Sequence, residues 1–279
     1  MNRLNLIRNH LNQSSQKEDY SQFITVEEYS KNPKIKIVKL NNPNKLNALS
    51  NEFGIEIFNT LQKLDMDDNT KVIILTGTGK AFCAGANISK FTTWNSFNLN
   101  KNWGLHFMER IHYEINKPVI ASVNGLCLGG GLELALSCDI IVASEKATFG
   151  FPEIKLGLIP GAGGTQKLTD LFGPYVSMEY ILTGKNIPLD LCHKHGLVSH
   201  IVKHEELDKF TGELAESMCC LSLTTLIAGK KVIKARAENT LHGGIRFEKQ
   251  VFIDLFNNED KEIGVQAFLN KKKPVFKDK

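Results

Sequence analysis

The stretch Val119-Ile120-Ala121-Ser122-Val123-Asn124-Gly125-Leu126-Cys127-Leu128-Gly129-Gly130-Gly131-Leu132-Glu133-Leu134-Ala135-Leu136 decides how this chain is built. Its first five residues are an apolar run closed by a turn signal, which reads as a strand buried on both faces. The glycines then turn the chain, and the pattern predicts a helix over Leu132 to Ser137 and a strand over Asp139 to Ala143. The same unit stands upstream. Ser50 is placed to cap a helix to about Leu64, with Phe53, Ile57, Phe58, Leu61 and Leu64 on one face, and Val72-Ile73-Ile74-Leu75 then forms another buried strand. A helix around Trp103 to Ile115 leads into Val119. Nearer the start, Ile24, Val26 and Tyr29, then Ile35, Ile37 and Leu40, alternate as two strands, broken by Asn32-Pro33 and by Asn41-Asn42-Pro43-Asn44. Strand, glycine turn and helix recurring in this way give an α/β fold with a right-handed winding core. The expected divisions are an extension over 1–20, a core over 21–210 and a separate helical region over 211–279.

Composition narrows the class. The chain has 279 residues, 42% of them apolar and 23% charged, which excludes disordered and fibrous proteins. The longest apolar region, Val119 to Val142, is interrupted by glycines, Asn124, Glu133 and Asp139, so no membrane span is expected. A net charge of +4 points to no nucleic-acid partner and leaves room for a small anionic ligand. The six cysteines form no C-x-x-C pair and suit reduced thiols in a reducing compartment. Arg3, Arg8, Ser14 and Ser15, with Leu4, Ile7 and Leu11 at helical spacing, give the N-terminus a transit-peptide character; a short docking extension is the alternative. The expected compartment is the mitochondrial matrix, with the cytoplasm as the alternative.

Two carboxylates stand in unusual surroundings. A glycine triplet feeding a helix leaves backbone N–H groups free and lets a ligand approach closely. Glu133 lies in the first turn of that helix among Leu132, Leu134, Ala135 and Leu136, where an unpaired carboxylate is costly. Its bland reading is a helix-start interaction with free N–H groups. Glu153 follows Pro152 in Phe149–Thr165, a segment rich in glycine; alone it reads as a solvated loop acid. Two carboxylates in glycine-shaped surroundings suit acid/base chemistry on one bound water. Lys80 to Ile88, a turn of small residues after a buried strand, can present one more free N–H.

In this order, the segments AFCAGANI (81–88), VNGLCLGGGLELALSCDI (123–140), FGFPEIKLGLIPGAGGTQKL (149–168) and HGLVSHIV (195–202) resemble the crotonase, or enoyl-CoA hydratase/isomerase, family. The resemblance runs from about Phe23 to the C-terminus. It implies a crotonase-like spiral of repeated ββα units, a C-terminal helical region that packs a homotrimer or a hexamer of two trimers, and an acyl-CoA thioester as substrate, with no resident cofactor and no metal. It further implies that the backbone N–H groups of Ala86 and Gly130 form an oxyanion hole and that Glu133 activates the water added at C3. Glu153 would then hold the same water and give a proton to C2, while Gly161 helps to position the water. Lys80, Ala84, Asn87, Ile88 and Ser89 would lie beside the coenzyme A portion. Three positions depart from the pattern. Asn87 and Ser89 stand where many hydratases have Asp and Lys, and Phe151 replaces a polar residue, narrowing or drying the pocket.

Other readings carry less. Gly77-Thr78-Gly79-Lys80 lacks the spacing of a phosphate loop. His193 and His195 read as surface histidines at a helix end rather than metal ligands. Trp94, Phe97, Trp103 and Phe107 suit either an acyl pocket or the core. Two alternatives to a hydratase remain: a double-bond isomerase of the same family, and a catalytically idle subunit held in a larger assembly through its N-terminal extension.

Overall fold

The computed structural model describes residues 20–93 and 106–278; residues 1–19 of the extension, Trp94, Phe97 and Trp103 lie outside them. An antiparallel hairpin of β1 (Ile24–Tyr29) and β2 (Asn32–Leu40) comes first. The chain turns at Ser30-Lys31, before the Asn32-Pro33 break expected from sequence. Pro33 is tolerated at the beginning of a strand, where a missing N–H costs the ladder little. Helix α1 (Asn51–Met66) has its N-cap at Ser50, whose side chain accepts from Phe53 N, and buries Phe53, Ile57, Phe58 and Leu61.

The core then winds through three similar units. They are β3 (Val72–Gly77), β4 (Ala81–Cys83) and α2 (His106–Glu114); β5 (Val119–Val123), β6 (Leu126–Leu128) and α3 (Gly130–Ala135); and β7 (Ile140–Ser144), β8 (Thr148–Gly150) and α4 (Gly164–Phe172). The first strand of each unit enters a six-stranded sheet, β1-β2-β3-β5-β7-β10, completed by β10 (His200–Val202). The second enters a four-stranded sheet, β4-β6-β8-β9, completed by β9 (Asn186–Ile187). Neighbouring units pair in parallel in both sheets, the repeated ββα spiral anticipated. Close chain passage fixes two of the corners. A Cβ on Gly77 would lie 2.2 Å from Ala81 O, and one on Gly125 2.2 Å from Lys80 O. The helix expected from Leu132 starts at Gly130, because the last glycines of the triplet are its first turn.

Both faces of the six-stranded sheet are covered at its central strands, which is why β3 reads as an unbroken apolar run. Ile73 and Leu75 face the main core with Phe53, Ile57 and Phe82. Val72 and Ile74 face α7 (Leu207–Cys219) with Ile35, Ile120, Leu207 and Ala215. The boundary expected at residue 210 thus falls inside α7. Between these parts lie α5 (Pro174–Thr183) and α6 (Leu189–Lys194), and α8 (Leu223–Ala235), α9 (Leu241–Asp254) and α10 (Glu259–Leu269) follow α7. The chain does not remain helical to its end: residues 272–278 run without helix. Asp278 holds this tail to Lys71 Nζ and Leu223 N, each at 2.8 Å. No helix among the described residues is long and apolar enough to cross a membrane. All six cysteines are free, with Cys220 exposed.

Candidate active site

The short second sheet delivers its strands to one place. Leu49 and Ala86 form an isolated parallel bridge in which Leu49 N donates to Gly85 O at 2.8 Å and Asn87 N donates to Leu49 O at 2.7 Å. That pairing leaves the N–H of Ala86 outside it. Gly130 opens α3, where a first-turn N–H has no acceptor within its own helix. The two donors share one opening: a Cβ on Gly130 would stand 3.7 Å from Ala86 N, with Leu49 Cδ1 at 3.6 Å and Met108 Cε at 3.7 Å. Gly131 brings α3 against β4, since its Cβ would lie 2.0 Å from Cys83 O. Two backbone donors set in apolar walls favour an oxygen that gains negative charge.

Glu133, 2% exposed, lies one turn into α3. Its Oε1 accepts from Ala162 N at 2.7 Å and Gly164 N at 2.8 Å. The helix-start interaction considered from sequence therefore exists, but with the beginning of α4 rather than of its own helix. Burial pushes the Glu133 carboxyl above its ordinary value, against the two N–H groups and the Lys167 ammonium, which favour the charged form. Both N–H bonds fall on Oε1, and among the described residues none falls on Oε2.

Glu153 is not the solvated loop acid it resembles in isolation. It sits on a 3-10 turn, Pro152–Leu156, directly after β8. Its carboxylate rests against Gly129, where a Cβ would lie 2.4 Å from Glu153 Oε1; Gly129 also has φ 52°. Glu153 Oε2 is buried and lacks a hydrogen-bond partner among the described residues. Burial pushes this carboxyl up to about 7, with the Glu133 charge adding in the same direction. Burial thus raises both carboxyls, but Glu133 is countered by two N–H groups of α4 and an ammonium, while Glu153 has only its own backbone N–H against it.

The remaining expected residues lie around this centre at differing distances from solvent. Lys80 and Ile88 are exposed and Ala84 is half-buried. Asn87 Oδ1 accepts from Ser89 N at 3.2 Å and Ser89 Oγ at 2.8 Å, so this pair shapes its own turn. Gly161 is exposed and immediately precedes Ala162. Phe107 packs against Gly54 in the core, within 2.3 Å of where a Cβ would be. Phe151 is fully buried, its ring beneath Gly164 at 2.6 Å from a Cβ there. His193 Nδ1 lies 3.0 Å from Val198 O, and His195 stacks on Phe172. Sequence reading singled out neither Gly129 as the seat of Glu153 nor Ala162 and Gly164 as the holders of Glu133. The glycines of 161–164 were the available signal.

A sequence model described as enoyl-CoA hydratase/isomerase matches residues 30–279. The chain belongs to the enoyl-CoA hydratase/isomerase family. Among similar members, it is 41% identical to a probable mitochondrial enoyl-CoA hydratase of Dictyostelium discoideum, over 96% of each chain. It is 40% identical to the mitochondrial enoyl-CoA hydratase of Pongo abelii, over 92% of this chain and 88% of that protein. The crystal structure of an enoyl-CoA hydratase from Bacillus anthracis superposes with a TM-score of 0.86 at 35% identity, covering 92% of this chain and 100% of the other. Family membership therefore extends to the whole winding core and to the C-terminal helices.

Proposed function

We propose that the protein is an enoyl-CoA hydratase, adding water across the 2,3 double bond of a 2-enoyl-CoA to give a 3-hydroxyacyl-CoA. The observation that carries this reading is a pair of carboxyls held out of water beside one pair of free N–H donors, Glu133 gripped by two N–H groups and Glu153 with Oε2 unpartnered among the described residues. The thioester oxygen accepts from Ala86 N and Gly130 N, each donor contributing ~3 kcal/mol as the oxygen becomes enolate-like. Glu133, ionised, takes a proton from the water as its oxygen bonds to C3 and the π electrons move toward the thioester. Glu153, protonated, gives its proton to C2 as the enolate collapses. The backbone at Gly161 orients the water, and proton exchange through water restores both carboxyls. These steps use protein groups and water, with the coenzyme A thioester as substrate. Its coenzyme A portion passes Lys80, Ala84, Asn87, Ile88 and Ser89.

The C-terminal helices support assembly into a homotrimer or a dimer of trimers. Leu241, Phe252, Phe256 and Phe268 are 57–83% exposed on and around α9 and α10, apolar side chains that packing against further copies would remove from water. Light scattering coupled to gel filtration reads the number of copies. Mitochondrial relatives and the N-terminal pattern support a matrix location, which organelle fractionation checks. The deciding experiment is loss of the conjugated-thioester ultraviolet absorbance when purified protein meets crotonyl-CoA. Rapid loss supports the hydratase. Failure across short, long and branched 2-enoyl-CoAs would transfer the reading to the isomerase if 3-enoyl-CoA is converted, or to an idle assembly subunit if nothing is.

A further inference from the structure

Lys167 connects the two helices of the site from the side opposite the reactants. It lies in the first turn of α4, just beyond the N–H groups that hold Glu133, and its Nζ donates to Leu136 O at 2.9 Å. Leu136 caps the C-terminal end of α3. The preceding carbonyls there already have donors: Leu132 O accepts from Leu136 N at 2.9 Å, Glu133 O from Ser137 Oγ at 2.8 Å, Leu134 O from Ser137 N at 3.1 Å and Ala135 O from Cys138 N at 3.1 Å. The helices therefore exchange charges. Helix α3 places a carboxylate at the N-terminal end of α4, and α4 places an ammonium at the C-terminal end of α3. Each charge meets the helix end of opposite partial charge.

We propose that Lys167 is a positioning residue for hydration, fastening α3 to α4 so that Gly130 and Glu133 keep their places, and setting a positive charge one turn of α4 beyond the Gly164 N–H that holds the Glu133 carboxylate. This rests on the reading of Glu133 as the base. Glu133 is faced by Lys167, by the Ala162 and Gly164 N–H groups and by Glu153, which acts in the opposite sense. Lys167 is itself faced by Cys138, Lys234 and Glu133, and its field reaches His112. Burial draws its ammonium down to about 8, helped by Lys234 and opposed by Cys138 and Glu133, so it is charged at neutral pH. Beyond Lys234, Lys230 lies 2.6 Å from the Asp139 carboxylate and Lys234 2.9 Å from it, so both of these ammonium groups already have a carboxylate partner.

Three substitutions separate the charge from the hydrogen bond: Lys167→Met removes both, Lys167→Gln keeps a donor without charge, and Lys167→Arg keeps both. The full-length protein is assayed with crotonyl-CoA for kcat and KM across pH, beside Glu133→Gln. The expected result is an acid limb of kcat moved upward by about one pH unit in the Met and Gln variants, with kcat on the acid side of that limb down by up to about tenfold, KM within about twofold, and the limb restored by Arg. The Gln variant keeps a tie to Leu136, so the test survives if the Met variant does not fold. An acid limb unchanged in the uncharged variants, with only a lower unfolding midpoint, overturns the inference and leaves Lys167 a structural tie. Full activity in Glu133→Gln would instead overturn the base assignment on which it rests.

Discussion

In the six-stranded sheet, β3 buries all six of its residues and β5 all five, whereas β4, β6 and β8 of the four-stranded sheet have three residues each. The long strands are filled on both faces, their side chains packing the core or, at Thr76 and Ser122, hydrogen-bonding within it. The short strands end in glycine-lined corners, and there backbone N–H groups are left over and two carboxyls are held out of water. Apolar area removed from water stabilises at roughly 25 cal/mol per Å², so the first sheet holds the molecule together. The second is organised around groups whose burial opposes stability: Glu133, and Glu153 with its unpartnered Oε2. Winding the chain alternately through the two sheets lets one anchor the other.

Substitutions in each sheet should fail in different ways. The largest effect is expected from Gly131→Ala, whose Cβ would meet Cys83 O at 2.0 Å where α3 crosses β4. A loss of ~4 kcal/mol or more should leave little folded protein by circular dichroism, the signature of a backbone clash. Gly129→Ala should come next: its Cβ would occupy the place of Glu153 Oε1, and its φ of 52° disfavours a side chain. The expected outcome is a drop in kcat of roughly 100-fold with the fold retained, since displacing an acid/base group forfeits about that much. In the other sheet, Ile73→Val removes one methylene from a fully buried position. It should lower unfolding free energy by about 1 kcal/mol in urea titrations and leave kcat unchanged.

The last effect has a sign set by pH. Burial holds the Glu153 carboxyl at about 7 in the folded protein, above its ordinary 4.5. The folded state therefore binds this proton more tightly than the unfolded chain, and the stability so contributed is full below pH 4.5 and lost as pH rises through about 7. Glu153→Gln should raise the unfolding midpoint at pH 8, with the gain fading toward pH 4.5 in matched thermal scans. A gain independent of pH would mean that the buried charge is not its source.

The same division governs what could be read from the amino-acid sequence. Helix α1 and strands β3 and β5 announce themselves, because Ser50 caps a run with helical apolar spacing and Val72–Leu75 and Val119–Val123 are continuous apolar segments. Ala81–Cys83, Leu126–Leu128 and Thr148–Gly150 are too short to show a period, so the second sheet is not legible as a sheet. Glu133 and Glu153 stood out for their glycine-rich, apolar surroundings. Their partners did not, because Glu133 is held from α4 and Glu153 rests on Gly129, both contacts made only when the spiral closes. Family resemblance supplied the catalytic reading; geometry supplied its electrostatic reason.

The most direct test of two carboxyls divided into base and acid is kcat/KM for crotonyl-CoA hydration against pH, in the unaltered protein and in Glu133→Gln and Glu153→Gln. The account predicts a bell whose alkaline limb falls near pH 7 as the Glu153 proton is lost. It also predicts that each substitution lowers the rate by ~100-fold or more while the protein stays folded. Near-normal hydration in either folded variant, or an alkaline limb that persists unmoved in Glu153→Gln, would contradict it.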